Sequence, residues 1–477
     1  MSSQGNDDFR VLRQAAEAAL RYRETIPDQP QRPRQTYNEM VRTIDMATPE
    51  NGAPAASVLE ELQSISEPGL QAMTGPRFFG WVVGASHPVG VAADWLTSAW
   101  GQNAGNHEAT PAAAVIEETA AKWLLDILDL PKQCSVGFVT GATMGNFVCL
   151  AAARSKVLRA VGWDVEGRGL FEAPPINVLI GDDAHTVVFA VLRMLGLGQD
   201  RVQRVPTDVA GRIIPARFLE LLHKCEGPTI AIAQAGQVNT GAFDPVAQMA
   251  EHTQQCGAWL HVDAAFGLWA RACPETAYLA RGIEAADSWA VDGHKWLQTP
   301  YDSGYAIVAH PADHRRAMTA DASYLPAAGA NERAPAHFVP ELSRRARGFA
   351  TWAMIRHLGR RGIAEMVGRH CRLARRMADQ LSTTPGIVVV NDVELNQVIV
   401  RFGCDEASDR ADELTAQVIE LVQAGGTCFA GGARWRGHWV MRLSIVAWPT
   451  TESDVDTSAA AITAAWKRVK ASHHAAQ

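Results

Sequence analysis

The sequence predicts an α/β protein, and three features carry that expectation: short apolar runs alternating with helical stretches through the middle, a smaller cluster of strands and helix after them, and no long apolar segment. The runs "VGFVTG", "INVLIG", "TIAIAQAG", "WLHVDAAF", "DSWAVDG" and "GYAIVAH" fall between Cys134 and His310. They are apolar on successive residues, which suits strands buried on both faces. A mostly parallel sheet between helix layers follows, with ligand groups at strand ends.

The rest of the chain fits around that sheet. An amphipathic helix is expected near residues 11–22, and then "IPDQPQRPRQ", whose prolines cannot continue a helix, reads as an arm or linker. Thr110-Pro111 resembles an N-cap with proline in the first turn, and Ile116, Ala120, Trp123, Leu124 and Ile127 recur at helical spacing behind it. After the sheet come an Arg-rich helical region near 343–380 and the runs "GIVVV", "NQVIVRF" and "VMRLSIVAW" around a helix near 409–422, which suggests a smaller α+β domain. The expected division is an N-terminal helical arm over 1–75, a large α/β domain over 76–340 and a small α+β domain over 341–477.

Composition narrows the function. With 477 residues, 47% hydrophobic and 20% charged, the chain can bury a sizeable core in more than one packing unit. A net charge of −7 gives no electrostatic reason to seek nucleic acid or an anionic membrane surface, so small-molecule chemistry is expected. The start "MSSQGNDDFR" lacks the basic and apolar regions of a secretory signal, which points to the cytoplasm. Eight cysteines without a CxxC pair read as reduced thiols, with neither zinc cage nor disulfide framework.

Two residues raise the question of covalent chemistry. Asp263 ends the apolar strand "WLHVD", where a carboxylate is costly to bury unless a cation or donors meet it. His261 shares its strand face, so a metal pair is conceivable, but no third ligand has suitable spacing. A structural hydrogen bond is the plainer alternative for Asp263. Lys295, in "VDGHKW", lies at another strand-to-loop transition. Such a lysine is either a solvated charge or, if desolvated, an amine able to form a Schiff base. Paired with an aspartate that holds a protonated pyridine nitrogen and with a phosphate cradle, it would complete a cofactor site. The cradle candidate is "VTGATMGNF", where Gly141 permits a tight backbone and a helix begins near Thr143; plain helix capping explains the same residues. His185 is either a core or loop histidine or a ring that stacks on a flat cofactor. Arg344, Arg345 and Arg347 read as a solvated or ion-paired helical face, and Trp435, Trp439 and Trp448 as core or interface aromatics.

Taken in order, "GPRFFGWVVGASHP", "NAGNHEATPAAAVIEE", "GATMGNF", "DDAHT", "GQVNTGAFDP", "HVDAAFG", "DGHKW", "ELSRRARG" and "MRLSIVAWPTT" resemble the pyridoxal-phosphate-dependent group II amino-acid decarboxylases. "HVDAAFG" with "DGHKW" is the specific pair. The resemblance implies fold type I, the aspartate-aminotransferase-like arrangement, in a homodimer whose active sites lie at the subunit interface and whose N-terminal arm packs on the partner. It implies pyridoxal 5'-phosphate on Lys295, Asp263 at the pyridine nitrogen, and His185 stacked on the ring with Ala265 near the opposite face. Gly141, Ala142, Thr143, Asp292 and His294 match the phosphate-holding positions. The implied reaction is decarboxylation of an L-amino acid, aromatic or other, to the amine and carbon dioxide.

Two stretches depart from the family pattern. In aromatic-amino-acid decarboxylases a loop tyrosine protonates the substrate carbon, yet "ANERAPAHFVPELSRRARG" contains none. Tyr324 lies earlier. His337 could act as the loop's acid or be an exposed loop histidine. Loss of the loop donor would favour the alternative of oxygen-dependent aldehyde formation, or aminotransfer on the same scaffold. In "GQVNTG", Gln237 and Val238 stand where relatives often have threonines, which leaves the carboxylate-side contacts open.

Overall fold

The computed structural model describes residues 3–319 and 333–476. Among them, seven strands form the larger sheet: β1 (Ser135–Val139), β2 (Asn177–Gly181), β3 (Gln203–Val205), β4 (Thr229–Gln234), β5 (Trp259–Asp263), β6 (Ser288–Asp292) and β7 (Gly304–Val308). Their spatial order is β1-β7-β6-β5-β4-β2-β3. Strands β3, β2, β4, β5 and β6 run parallel, whereas β7 is antiparallel to both β6 and β1.

Both faces of the sheet are covered, which is why its sequence reads as continuous apolar runs. Val178, Ile180, Ile230 and Ile232 join one core layer with the helix Ala142–Ala160. Leu179, Ala231, Ala233, Leu260 and Val262 point the other way, into a core shared with Leu124, Trp269, Trp296 and Met354. The second layer includes the helices Pro111–Ile127 and Gly348–Ser382, which pack on each other. The latter is interrupted at Gly359, where φ is 61°.

A second sheet, also counted among the described residues, orders its four strands β10-β11-β9-β8. These are β8 (Ile387–Val389), β9 (Gln397–Phe402), β10 (Gly431–Trp435) and β11 (His438–Ser444), all antiparallel. Leu414, Val418, Val455, Ile462 and Trp466, from helices Ser408–Gly425 and Glu452–Ala476, close its core.

Some local expectations change. The first helix spans Ser3–Thr25, longer than its amphipathic centre suggests. Thr110 does precede the helix starting at Pro111, but its side chain makes no cap; the hydroxyl donates instead to the carbonyls of Asn103 and Asn106 at 2.8 and 3.0 Å. The three arginines are ion-paired but do not form a solvated helical face, since they precede the helix Gly348–Ser382. Arg344 is buried. Its guanidinium holds Glu117 at 2.8 Å and donates to the carbonyls of Ala104 and Phe138 at 3.0 and 2.7 Å. Arg345 holds Asp94 at 2.6 Å, and Arg347 clasps Asp302 at 2.8 and 3.2 Å. No helix among the described residues is long and apolar enough to cross a membrane. Tyr324 lies outside the described residues.

Candidate active site

Polar residues converge where β1, β4, β5 and β6 end. A cavity of about 310 Å³ opens there, lined by Gly141, Ala142, Thr143, His185, Asp263, Ala265, Asp292, His294 and Lys295. All the site residues expected from the sequence are therefore brought together except His337. That residue lies with Gly105, Asn106 and Leu342 in a separate hollow, within 3.3 Å of an Arg315 nitrogen.

The backbone that carries the lysine is fixed both at the base of its loop and from outside it. It sits in the excursion between β6 and β7, whose antiparallel pairing sets Asp292 opposite Gly304. The amides of Gly293 and His294 both donate to the Ser303 carbonyl, at 3.0 and 3.2 Å, closing the loop at its base. Gly84 then packs on the loop from outside: its amide donates to the His294 carbonyl at 2.9 Å, and a Cβ there would stand 2.3 Å from the Lys295 carbonyl oxygen. No larger residue fits without moving the lysine's backbone. The Lys295 ammonium rests 2.8 Å from Asp292 Oδ2 and lies 5.8 Å from the centre of the Phe266 ring. Asp292 Oδ1 meanwhile accepts the Ala142 amide at 2.6 Å.

Asp263 is the electrostatic counterpart. It is buried at the end of β5, its recorded hydrogen bond is a long one from the Ala265 amide at 3.4 Å, and among the described residues no cation pairs with it. Burial pushes its carboxyl above the ordinary carboxylate range, with His185 and Lys295 opposing the rise. His185 caps the helix Thr186–Met194, accepting the Val187 amide on Nδ1 at 3.3 Å, while its own amide donates to Gln234. Burial lowers the pKa of His185, and likewise that of His294, so both imidazoles favour the neutral form.

His261 takes no part in a metal pair. One ring nitrogen is 2.9 Å from Ser288 Oγ and the other 2.7 Å from Asn146 Oδ1, and complete burial pushes its pKa down to about 3. Gln237 is likewise occupied, its side-chain oxygen accepting the amides of Asn239 and Thr240 to fix the turn after β4. Its neighbour Val238 faces the cavity.

Sequence reasoning missed several lining residues: Asn146, Val187, Gln234, Phe266 and Tyr301. Two of them lie close in sequence to residues singled out above, though an aromatic residue in a loop is no signal by itself. Phe266 follows Asp263 on the turn leaving β5, and Tyr301 lies in the same loop as Lys295, inside the stretch "KWLQTPYDSG".

This donor set fits one kind of molecule. The Lys295 amine could bond to an aldehyde, and the buried Asp263 carboxylate, with no ion pair among the described residues, could meet a protonated ring nitrogen. At Gly141 a Cβ would crowd His294 Cε1 at 3.0 Å, so the backbone must come close there. The helix that starts at Ala142 brings first-turn amides without intrahelical acceptors, a dipole suited to a phosphate, and the Thr143 hydroxyl. Asp292 accepts from both the Ala142 amide and the Lys295 ammonium, which ties the start of that helix to the lysine. Such a site, at the strand ends of a mostly parallel sheet, defines a fold type I enzyme that takes pyridoxal 5'-phosphate on a lysine.

Comparison with known proteins places the chain within that class. Residues 38–403 match the pyridoxal-dependent decarboxylase conserved domain, and the protein belongs to that family. It is a pyridoxal-phosphate-dependent decarboxylase. It is 26% identical over 469 residues to tryptophan decarboxylase 1 of Oryza sativa subsp. japonica, covering 92% of this chain and 90% of that protein. It is 23% identical over 437 residues to a phenylacetaldehyde synthase of a Rosa hybrid cultivar, covering 87% and 85%. The crystal structure of Oryza sativa TDC with PLP and tryptamine superposes with a TM-score of 0.90 at 23% identity, over 98% of this chain and 99% of that one.

Proposed function

We propose that the protein decarboxylates an aromatic L-amino acid to its amine and carbon dioxide, with Lys295 as the amine that carries the cofactor. The observation that carries this reading is the presence of Lys295 and an uncompensated, buried Asp263 in one cavity. Bound pyridoxal phosphate supplies a conjugated, cationic ring able to accept the electron pair released when a bond to the substrate's α-carbon breaks. The chain's residues do the rest. Asp263 keeps the ring nitrogen protonated by stabilising its positive charge in a site that burial has removed from water. His185 and Ala265 would hold the ring, and Gly141, Ala142, Thr143 and His294 would hold the phosphate. Val187, Val238 and Phe266 give the cavity an apolar side that excludes water, and together with the Tyr301 ring it suits an aromatic side chain.

The aldehyde synthase reading has its own support. No tyrosine occurs between Ala330 and Gly348, and a phenylacetaldehyde synthase is among the relatives. The assembly proposed is a homodimer. Leu12, Leu20, Tyr37, Val41, Val58 and Leu62 are exposed along the N-terminal segment, an apolar surface that a second copy would cover.

A screen of L-amino acids for carbon dioxide, with mass detection of amine, aldehyde and keto acid, tests substrate and reaction together. Borohydride should fix the cofactor on Lys295 and leave Lys295→Ala unlabelled. Absence of both adduct and carbon dioxide in the native protein would overturn the proposal.

A further inference from the structure

We infer that Tyr301 is the proton donor to the substrate's α-carbon. This deepens the decarboxylase reading and rests on it. Tyr301 lines the cavity that holds Lys295 and Asp263, and its ring stacks on the imidazole of His294 with centroids 4.3 Å apart and planes 28° from parallel. The segment is pinned one residue further on, where Arg347 clasps both oxygens of Asp302. Among the described residues nothing hydrogen-bonds to the Tyr301 hydroxyl, and the side chain is 55% exposed. The phenol is thus anchored by its ring and open at its polar end, as a donor that must regain its proton from water requires.

The other groups around the cavity fit the role less well. His185 and His294 are held toward their neutral forms by burial, and His337 lies in a different hollow. Lys295 has Asp292 to neutralise it at 2.8 Å and is needed to recapture the cofactor. The Tyr301 phenol is pushed up to about 12, first by desolvation on the side that packs against His294 and then by the Asp292 carboxylate, so it keeps its proton at neutral pH. In the step itself the bond from α-carbon to carboxylate breaks, carbon dioxide leaves, and the electron pair stays with the carbon and the conjugated ring. The Tyr301 O–H bond then breaks as its proton bonds to that carbon, and the phenolate takes a proton from water. Without the donor, dioxygen can accept the electrons: amino acid, dioxygen and water yield aldehyde, carbon dioxide, ammonia and hydrogen peroxide.

The test uses the full chain loaded with pyridoxal phosphate and compares Tyr301→Phe with Tyr324→Phe. Tyr301→Phe should retain the borohydride-fixed adduct on Lys295 and the KM, lose about 100-fold or more in amine formation, and gain aldehyde and peroxide in air. Tyr324→Phe should remain close to wild type. Independently of turnover, tetranitromethane at alkaline pH, where a fraction of the phenol is ionised, should nitrate Tyr301 in cofactor-free protein, and added pyridoxal phosphate should suppress that nitration several-fold by mass spectrometry. Full amine formation by Tyr301→Phe, loss of amine formation in Tyr324→Phe alone, or nitration indifferent to cofactor would each overturn the assignment of Tyr301 while leaving the adduct on Lys295 intact. A wild-type protein that forms no adduct would instead remove the decarboxylase reading beneath it.

Discussion

Replacing Asp263 with asparagine should move two measurable quantities in opposite directions. The substitution keeps the side chain's shape and removes its charge from a buried position whose recorded hydrogen bond is the 3.4 Å one from Ala265. With cofactor bound, it removes a charge-assisted hydrogen bond, worth about 1.5–3 kcal/mol. At roughly 1.4 kcal/mol per factor of ten, pyridoxal phosphate should be held about 10- to 150-fold less tightly. Without cofactor the sign reverses. Burial raises the Asp263 pKa, so its contribution to stability is present below the unfolded value of about 3.9 and is lost as pH rises through the folded value. At neutral pH the charge therefore costs the cofactor-free protein stability, and asparagine relieves that cost. Absorbance titration of pyridoxal phosphate and thermal melts of both forms measure the pair. The melting temperature of the cofactor-free variant should exceed that of wild type at pH 7, and the difference should shrink toward pH 4. Unchanged cofactor affinity together with a less stable cofactor-free variant would refute the assignment of Asp263 to the ring nitrogen.

Three further outcomes follow from packing and charge. Arg344→Met leaves Glu117 with Arg333 alone, at 3.5 Å, and should cost about 3 kcal/mol in urea denaturation, while adding Glu117→Leu should recover only part of it because Arg333 then loses its carboxylate. Gly84→Ala should cost about 1–3 kcal/mol and lower the yield of borohydride-fixed adduct, because its Cβ meets the carbonyls of Lys295 and His294. His261, His314 and His370 are buried and pushed down to about 3, so the stability tied to their neutral forms is complete above about 6.5 and is lost as pH falls from there toward 3. Urea midpoints should fall between pH 7 and pH 5, less steeply in His261→Gln; identical slopes would show that His261 does not contribute.

What could be read in the sequence was what burial writes into it. All six apolar runs of the central region became strands because both faces of that sheet are covered, so their residues needed no alternation. The two strands that escaped notice, Gln203–Val205 and Gly431–Trp435, lie at sheet edges; one is short and polar, the other begins with two glycines, and neither carries an apolar signal. Lys295, Asp263 and His185 were legible because they interrupt apolar segments where a polar group needs a reason. Tyr301 and Phe266 were not, since an aromatic residue in a loop has many ordinary explanations and only the folded chain turns these two toward the lysine. His337 shows the reverse. Its place in a family pattern suggested a role, but chain order sets no distance, and the fold puts it in another hollow.

The arginines at 344, 345 and 347 have a practical consequence. Within four residues the backbone is riveted to the helix Pro111–Ile127, to the helix Pro88–Trp100 and to the seat of Tyr301. These rivets make a firebreak. Segments from other members of the family could be transplanted into residues 334–342 to retune selectivity, and the phenol beside His294 would keep its seat.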